Sequence, residues 1–313
     1  MKFTTFGRTG LRLSRVALGA GGPSRLGFSK NRDRTSMIAL IHGAVDLGVN
    51  IIDTARNYGT EKIIGEALAE VSEEVFVATK VWCFESEDVH DPNREPYRDP
   101  DRLVESVETS LRQLGRETID ILQFHGVPPG GLDVTIDILL PAAQLLRDAG
   151  KVRFIGITEH PGIDPQQEMA WRACDSGLFD SIMVQYGIFD QEGDWRTFPT
   201  AKKNEVGVFC MCAARNALTT PEAVERVLTQ LDRQPVPDLS YLLDEASPKY
   251  ADAAFRFAAS NESIDVVVVG TGNLSHLEAS TRAVLGPPTP AAVLDRLQAD
   301  FGDLAGGPMW PGD

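Results

Sequence analysis

The chain has 313 residues, of which 42% are hydrophobic, and its 45 acidic and 30 basic residues give a net charge of −15. This length suits two average domains or one (β/α)8 barrel, and the negative charge disfavours nucleic acid and anionic membranes as partners. Because the sequence opens without a signal peptide and has no apolar run long enough to cross a bilayer, we expect it in the cytoplasm.

Hydrophobic periodicity predicts an amino-terminal hairpin followed by alternating strands and helices. The hairpin pairs residues 2–7 with residues 11–14. Eight apolar segments of strand length follow, with centres at Val16, Ile51, Val75, Ile119, Val152, Ile182, Val208 and Val266. Amphipathic segments separate most of them. This rhythm predicts an α/β fold, a closed (β/α)8 TIM barrel with the hairpin plugging its bottom, and residues 1–313 as a single domain.

Three segments do not fit the simple alternation. Residues 83–100 are polar and contain prolines, which predicts a long active-site loop after the third strand. Residues 219–250 contain more helix than one crossover needs, including segments at 221–228 and 239–243, and they predict a helical insertion after the seventh strand. Residues 287–313 predict a last helix on the outside of the barrel and a Gly/Pro-rich tail.

The four cysteines have neither the pattern of a disulfide framework nor metal-ligand spacing. They are Cys83, Cys174, Cys210 and Cys212. Because Cys210 and Cys212 alternate along an apparent strand, we expect both on one face of it as buried free thiols. The sequence therefore predicts no metal site.

Ionisable side chains stand at the carboxyl ends of neighbouring predicted strands. Asp53 ends the second strand, Tyr58 follows five residues later, Lys80 ends the third strand and His125 ends the fourth. Because the carboxyl ends of parallel strands share one face, we expect these four side chains to converge. A phenol beside an ammonium group that is balanced by a carboxylate is a tuned proton donor.

The segments that carry these residues resemble the aldo-keto reductase family. The matching segments are residues 7–14 (GRTGLRLS), 53–59 (DTARNYG) with Glu61, 79–82 (TKVW), 120–125 (DILQFH) and 150–158 (GKVRFIGIT). The resemblance implies reversible hydride transfer between a nicotinamide and the carbonyl of a small aldehyde, ketone or sugar. It also implies that Trp82 lines the substrate pocket.

The resemblance gives each of the four residues a role that makes chemical sense. Tyr58 would be the general acid and base that gives its proton to the carbonyl oxygen. An ordinary phenol is a weak acid at neutral pH, so Lys80 would favour the phenolate and ease proton release. Asp53 would keep the Lys80 ammonium charged and oriented, and a neutral His125 would polarise the carbonyl.

A dinucleotide site is implied by the same resemblance. Its residues would be Gly19, Thr158, Glu159, Gln185, Met211, Cys212, Gly270, Gly272, Asn273 and Glu278. Gln185 and the Thr158–Glu159 pair would hold the nicotinamide amide, and at Glu159 a carboxylate replaces the family's asparagine. Met211 would pack on the nicotinamide ring.

The segment from Gly270 to Glu278 would bind the cofactor phosphates at a helix amino terminus. Asn273 stands where many family members carry a cation for the 2′-phosphate, and Arg282 or an inserted residue could supply the missing charge. The first prediction is NADP, with NAD as a close alternative.

Two functions stay open on these residues. One is an NAD(P)-dependent oxidoreductase acting on a small carbonyl compound or sugar. The other is a nicotinamide-binding regulatory or interaction protein with little turnover, which the unusual residues at Glu159, Met211 and Cys212 and the insertion at 219–250 keep in view. The sequence leaves the oligomeric state open.

Overall fold

Eight parallel strands close into a barrel in the computed structural model, which describes residues 1–86, 95–214, 218–231 and 237–304. In chain order the strands are β1 (Phe3–Phe6), β2 (Leu11–Ser14), β3 (Val16–Gly19), β4 (Ile51–Asp53), β5 (Phe76–Val81), β6 (Ile119–Phe124), β7 (Val152–Thr158), β8 (Ser181–Gln185), β9 (Gly207–Met211) and β10 (Val266–Gly270). The strands β3 to β10 form the barrel, and β10 pairs with β3 to close it. The predicted fold class and the eight predicted strands are confirmed.

Helices connect the strands on the outside of the barrel. They are α1 (Arg34–Asp46), α2 (Glu61–Leu68), α3 (Pro100–Leu114), α4 (Leu132–Val134), α5 (Leu140–Asp148), α6 (Glu168–Ser176), α7 (Thr197–Lys203), α8 (Pro221–Gln230), α9 (Tyr250–Ser260), α10 (Leu274–Leu285) and α11 (Ala291–Phe301). A π-helical stretch, Thr135–Leu139, joins α4 to α5. None of these helices is long and apolar enough to cross a membrane, as far as the described residues go.

The helix α3 shows how local sequence sets these elements. The Asp99 carboxylate accepts a hydrogen bond from the Asp101 amide and caps the helix start, and Pro100 occupies the first turn. Gly115 ends the helix with a φ of 63°, in the left-handed region that favours glycine. The residues that repeat at helical spacing are buried against the barrel: Leu103, Val107, Leu111 and Leu114. Burial of each such side chain contributes about 1.5–3 kcal/mol.

The hairpin of β1 and β2 covers the amino-terminal end of the barrel. The Phe6 ring lies 4.5 Å from the Phe209 ring of β9, measured between centroids. Phe6 and Leu13 are fully buried in one apolar cluster with Phe76 and Phe209 from the barrel interior. A side chain on Gly207 would lie 2.7 Å from the Phe6 ring, so glycine is required where the plug meets β9. The predicted plug is confirmed.

The insertion after β9 contains one regular helix, α8, before the crossover helix α9. The segment predicted as helical at 239–243 forms only a single 3-10 turn, Ser240–Leu242, and residues 232–236 lie outside the described part of the chain. The Arg256 guanidinium of α9 donates to the Asp244 carboxylate at 2.7 Å and to the Pro287 carbonyl at 2.8 Å. These contacts tie the insertion to the segment that leads into α11.

Two predictions for the chain's ends and loops are tested only in part. The helix predicted after residue 287 is present as α11, whereas the tail at 305–313 lies outside the described residues. In the predicted active-site loop, residues 87–94 also lie outside them.

The cysteines agree with one part of the prediction and contradict another. Cys83, Cys174 and Cys210 are buried free thiols, as expected. Cys212 is not part of a strand, because β9 ends at Met211 and Cys212 has a φ of 64° in the left-handed region. The expectation that Cys210 and Cys212 share one strand face is therefore wrong. Within the described ranges no group of three or more His, Cys, Asp or Glu side chains is arranged to hold a metal ion.

Candidate active site

Asp53 and Lys80 meet at the carboxyl ends of β4 and β5. The two strands are neighbours in the barrel, with Asp53 opposite Ala78. The Lys80 ammonium donates a 2.5 Å hydrogen bond to Asp53 Oδ1 and a 2.9 Å hydrogen bond to the Thr54 carbonyl. Lys80 is 2% exposed and Asp53 is 5% exposed, so the pair is almost wholly shielded from water.

Tyr58 lies on a 3-10 turn, Arg56–Tyr58, that directly follows β4. The turn ends at Gly59, whose φ is 73°. The Tyr58 hydroxyl lies 3.3 Å from His125 Nε2, and the Lys80 Nζ atom lies 5.2 Å from the centroid of the Tyr58 ring. The structure thus brings the four predicted side chains together, three from the ends of adjacent strands and one from the loop between them.

Trp82 forms a wall of the same site. Its ring lies 5.7 Å from the His125 ring in an edge-to-face arrangement. Its indole N–H donates to the Ser86 carbonyl at 2.9 Å, which fixes the ring orientation. Trp82 is half-buried. A partly exposed aromatic surface beside the Tyr58 and His125 polar groups suits a small molecule with an apolar part and an oxygen.

Burial and charge act in opposite directions on the titratable groups of this site. For Lys80, burial lowers the pKa, but the Asp53 carboxylate and the Tyr58 phenol outweigh it, so the pKa is raised and the ammonium stays charged. For Tyr58, burial raises the pKa of the phenol and the Lys80 charge lowers it. Burial prevails, so the net shift is upward. Lys80 therefore opposes the effect of burial without bringing the Tyr58 pKa below its ordinary value.

Two residues that the sequence did not single out support the site. A Cβ atom on Gly21 would lie 2.3 Å from the Tyr58 ring, so only glycine leaves room for the tyrosine. Gln123, fully buried on β6, is the neighbour of Lys80 across the sheet. Alternation along β6 puts Gln123 on the same face as His125, and that signal was readable in the sequence.

Thr158, Glu159 and Gln185 lie together at the ends of β7 and β8. The Thr158 hydroxyl accepts a 2.7 Å hydrogen bond from the Gly126 amide, just after His125. One oxygen of the Glu159 carboxyl group accepts a hydrogen bond from the backbone N–H of Gln185. The Gln185 side-chain NH₂ donates to the Asp190 carboxylate at 2.6 Å. Asp190 is a buried acid that no local sequence signal indicated.

The other predicted cofactor residues lie around the ends of β9, β10 and β3. Met211 is half-buried against the barrel interior, and Cys212 follows it. A Cβ atom on Gly19 would lie 2.9 Å from Val268 on β10, so the absence of a side chain there serves strand packing. Gly270 pairs with Gly19 across the closing strands.

The segment after β10 leads into α10. A Cβ atom on Gly272 would lie 2.7 Å from the Gly27 backbone, so two loops touch at this point. The Asn273 side chain accepts from the Ser275 amide at 2.9 Å and caps the helix. Glu278 is half-buried on the second turn, and the exposed Arg282 has the Asp252 carboxylate as a neighbouring charge.

The arrangement fits a nicotinamide dinucleotide. Glu159 Oε2 and Gln185 Oε1 are buried polar atoms without a hydrogen-bond partner in the described ranges of the chain, and an amide group would satisfy both. The capped amino terminus of α10 suits a phosphate. The two places lie on the same face of the barrel as Tyr58, at the carboxyl ends of the strands.

Comparison with known proteins gives a consistent result. A sequence model of the Aldo/keto reductase family matches residues 15–299. The NADH-specific methylglyoxal reductase of Escherichia coli is 31% identical over 226 residues, which cover 66% of each chain. The L-galactose dehydrogenase of Arabidopsis thaliana is 28% identical over 295 residues, which cover 91% of this chain and 88% of the dehydrogenase. The solved structure of the aldo-keto reductase AKR11C1 from Bacillus halodurans, in its holo form, superposes with a TM-score of 0.72 at 25% identity and covers 97% of this chain and 96% of its own.

Proposed function

The chain belongs to the aldo/keto reductase family and is an oxidoreductase, and from this premise we propose that it transfers a hydride reversibly between a nicotinamide and a small aldehyde, ketone or sugar, with Tyr58 as general acid and base. The observation that carries the proposal is that the Tyr58 hydroxyl lies 3.3 Å from His125 Nε2. Lys80 Nζ lies over the Tyr58 ring and donates a hydrogen bond to the Asp53 carboxylate. A carbonyl oxygen that enters between Tyr58 and His125 meets two hydrogen-bonding groups at once.

The residues of the site would share the work on the carbonyl oxygen. When bound, the reduced nicotinamide supplies the hydride. Negative charge then grows on the oxygen, where the Tyr58 hydroxyl gives up its proton and a neutral His125 donates a hydrogen bond from Nε2. The charged Lys80 stabilises the phenolate that is left, and Asp53 holds the Lys80 ammonium in place. In the opposite direction the phenolate takes the proton from an alcohol.

The proposed substrate is a small carbonyl compound or sugar that packs against Trp82. Trp82 provides an aromatic surface next to His125. The relatives cover both classes, since one is a methylglyoxal reductase and another is an L-galactose dehydrogenase. A sugar or a short ketone would place its polar oxygen toward Tyr58 and its carbon skeleton toward Trp82.

The proposed cofactor is NADP, with NAD as a close second. A dinucleotide would run from the Glu159 and Gln185 region to the Gly270–Asn273 segment. Asn273 offers no cation for a 2′-phosphate, and one relative is named as NADH-specific, which keeps NAD close. Parallel titrations of the protein with NADPH and NADH decide between the two.

The function is tested by following the absorbance of NADPH or NADH while a panel of aldehydes, ketones and sugars is added. We expect turnover with at least one carbonyl compound, and we expect Tyr58→Phe to reduce kcat by about 10²–10⁴-fold while dinucleotide binding is kept. Tyr241→Phe is the matched control, because the Tyr241 hydroxyl donates to Asp300 of α11 and not to a residue of the site, so the variant should keep full activity.

Two outcomes would count against the proposal. Full activity of Tyr58→Phe would remove the proton-donor role of Tyr58. Tight binding of a dinucleotide without turnover of any carbonyl or alcohol would favour the alternative function, a nicotinamide-binding regulatory protein.

A further inference from the structure

Glu159 is a buried acidic side chain that forms no ion pair with any residue the structure describes. It is 2% exposed. Its Oε1 atom accepts a hydrogen bond from the Gln185 backbone N–H, and its buried Oε2 atom has no hydrogen-bond partner among the described residues. In the described part of the chain no lysine, arginine or histidine forms an ion pair with it. A charged carboxylate in this position would have lost its water without gaining a counter-charge.

The surroundings of Glu159 add further negative charge. Burial raises the pKa of the Glu159 carboxyl group well above its ordinary value, and the Asp190 and Asp164 carboxylates raise it further. The hydrogen bond from the Gln185 backbone N–H acts in the opposite direction and lowers it. Asp190 follows β8 and Asp164 precedes α6. Among the described residues, the Cys210 thiol on β9 is a further titratable neighbour, and burial raises its pKa. Burial and the two neighbouring carboxylates therefore favour the neutral, protonated form of Glu159, and they outweigh the hydrogen bond from Gln185.

In its neutral form Glu159 changes from an acceptor to a donor. Because Oε1 accepts a hydrogen bond from the Gln185 backbone N–H, the proton of the neutral carboxyl group resides on the other oxygen, Oε2. Gln185 provides the complementary group. Its side-chain NH₂ donates to Asp190, and its buried Oε1 atom has no partner within the part of the chain that the structure describes. One unused donor and one unused acceptor at the ends of β7 and β8 match the oxygen and the NH₂ of a primary carboxamide.

We propose that Glu159 works as an uncharged carboxylic acid that donates a hydrogen bond to the amide oxygen of the nicotinamide, so that dinucleotide binding weakens as the pH rises. Gln185 Oε1 accepts from the amide NH₂ at the same time. The inference rests on the proposed function, because it needs a nicotinamide at this end of the barrel. It gives Glu159 a positioning role that does not depend on the Tyr58 chemistry.

Ionisation of Glu159 would remove a donor and place a negative charge against an amide oxygen. Loss of a hydrogen bond and exposure of an unpaired acceptor together correspond to a fall in affinity of about tenfold to a hundredfold. The pKa values of Tyr58 and Lys80 are shifted by the fold as well. The pH effect must therefore be assigned by changing Glu159 itself.

The test measures the dissociation constants of NADPH and NADH by fluorescence between about pH 6 and pH 10, a range in which an acid with a raised pKa ionises. Glu159→Gln keeps a side-chain N–H donor of similar shape but has no proton to lose. Glu159→Ala removes the donor. The control is Glu168→Gln, because Glu168 lies on α6 close by but its side chain is 51% exposed and pairs with Arg172.

The expected result has three parts. The natural protein and the Glu168→Gln variant lose affinity by about tenfold to a hundredfold as the pH rises. Glu159→Gln binds with the same affinity across the range and agrees with the natural protein at low pH. Glu159→Ala binds weakly at every pH. A protonated-carboxyl band in the infrared spectrum of the natural protein at neutral pH, absent from Glu159→Gln, is the second readout and needs no ligand.

Three results would overturn the inference. Glu159→Gln could show the same pH dependence as the natural protein, or could bind more tightly than the natural protein at the low-pH end of the range, or the infrared band could be unchanged by the substitution. If carbonyl turnover is present in those cases, the proposed function stands and only the role of Glu159 fails. Absence of any dinucleotide binding would overturn both. If Glu159→Gln does not fold, a neutral-pH infrared spectrum of the natural protein without a protonated-carboxyl band rejects the inference.

Discussion

Lys80 Nζ and Asp53 Oδ1 lie 2.5 Å apart, and both side chains are buried at the ends of adjacent strands. Asp53→Asn would leave the Lys80 ammonium buried without its counter-charge, with uncharged acceptors such as the Thr54 carbonyl in place of the carboxylate. We expect it to lower the free energy of unfolding by about 3–5 kcal/mol. The double variant Asp53→Asn with Lys80→Met should recover most of that loss, because it removes the unpaired charge, and it should stay inactive. Urea unfolding and a carbonyl reduction assay measure the two properties.

The control for this pair is the exposed ion pair of Arg102 and Glu85. Their side chains are 46% and 63% exposed, so Arg102→Met should change the free energy of unfolding by less than about 1 kcal/mol. A loss of similar size for Asp53→Asn and Arg102→Met would contradict the assignment of Lys80 and Asp53 as a buried, mutually dependent pair.

Gly21 leaves the space that the Tyr58 ring occupies. In Gly21→Ala the new methyl group would lie 2.3 Å from the ring, so Tyr58 must move and its hydroxyl loses its position beside His125. We expect kcat to fall by about 10²-fold, since a displacement of about 1 Å has that effect on a reacting group. Gly130→Ala is the control, because its added methyl group meets no atom within 4 Å. Equal activity of the two variants would show that Tyr58 tolerates the shift.

The pKa of Tyr58 is raised by burial, against the opposing charge of Lys80. Reduction uses the protonated phenol, so its rate should stay constant from about pH 6 to pH 9, below the ordinary phenol pKa of about 10. Oxidation of an alcohol uses the phenolate, whose fraction rises about tenfold for each pH unit below the pKa. Measured kcat values in both directions check this. A reduction rate that already falls between pH 6 and pH 8 would indicate a lowered pKa.

Glu159 should also make stability depend on pH. Its pKa is raised in the folded protein, so the folded state holds a proton that the unfolded chain has lost. The stabilisation from Glu159 is therefore complete below the unfolded pKa, near 4.5, and disappears as the pH rises toward the folded pKa. In that window Glu159 lowers the free energy of unfolding by up to about 1.4 kcal/mol per pH unit.

Urea unfolding at several pH values measures this effect. Other buried acids, among them Asp164 and Asp265, have raised pKa values and contribute to the slope in every variant. Glu159→Gln should therefore lose part of the slope, and Glu168→Gln should lose less of it, because the Glu168 charge is the smallest of the influences on the Asp164 pKa. Identical slopes for the natural protein and Glu159→Gln would mean that Glu159 is ionised when folded.

The barrel was predictable because its strands are buried on both faces and appear as continuous apolar runs. The segments around Val152 and Val208 form strands at the expected positions. The convergence of Asp53, Lys80 and His125 followed from parallel strand order alone. Cys212 was misplaced because alternation alone does not show where a strand ends, and its left-handed φ depends on the chain path after β9.

Contacts between loops could not be predicted from the sequence. The Gly21 contact with Tyr58 joins two loops that are distant in the chain, and the pairing of Gln185 with Asp190 depends on how the loop after β8 folds back. The direction of the Tyr58 pKa shift could not be predicted from the sequence either. The sequence shows which charges stand near the phenol, but the degree of burial that outweighs Lys80 is a property of the folded protein.

The packing of Phe6 against Phe209 fills the amino-terminal end of the barrel with apolar side chains, whereas the ionisable groups lie at its carboxyl-terminal end. Laboratory evolution can exploit this division. Libraries that vary Trp82 and the loops at the open end leave the packing of Phe6, Phe76 and Phe209 untouched, so altered selectivity should be obtainable without loss of thermal tolerance. Random changes at the plugged end would mostly yield insoluble variants.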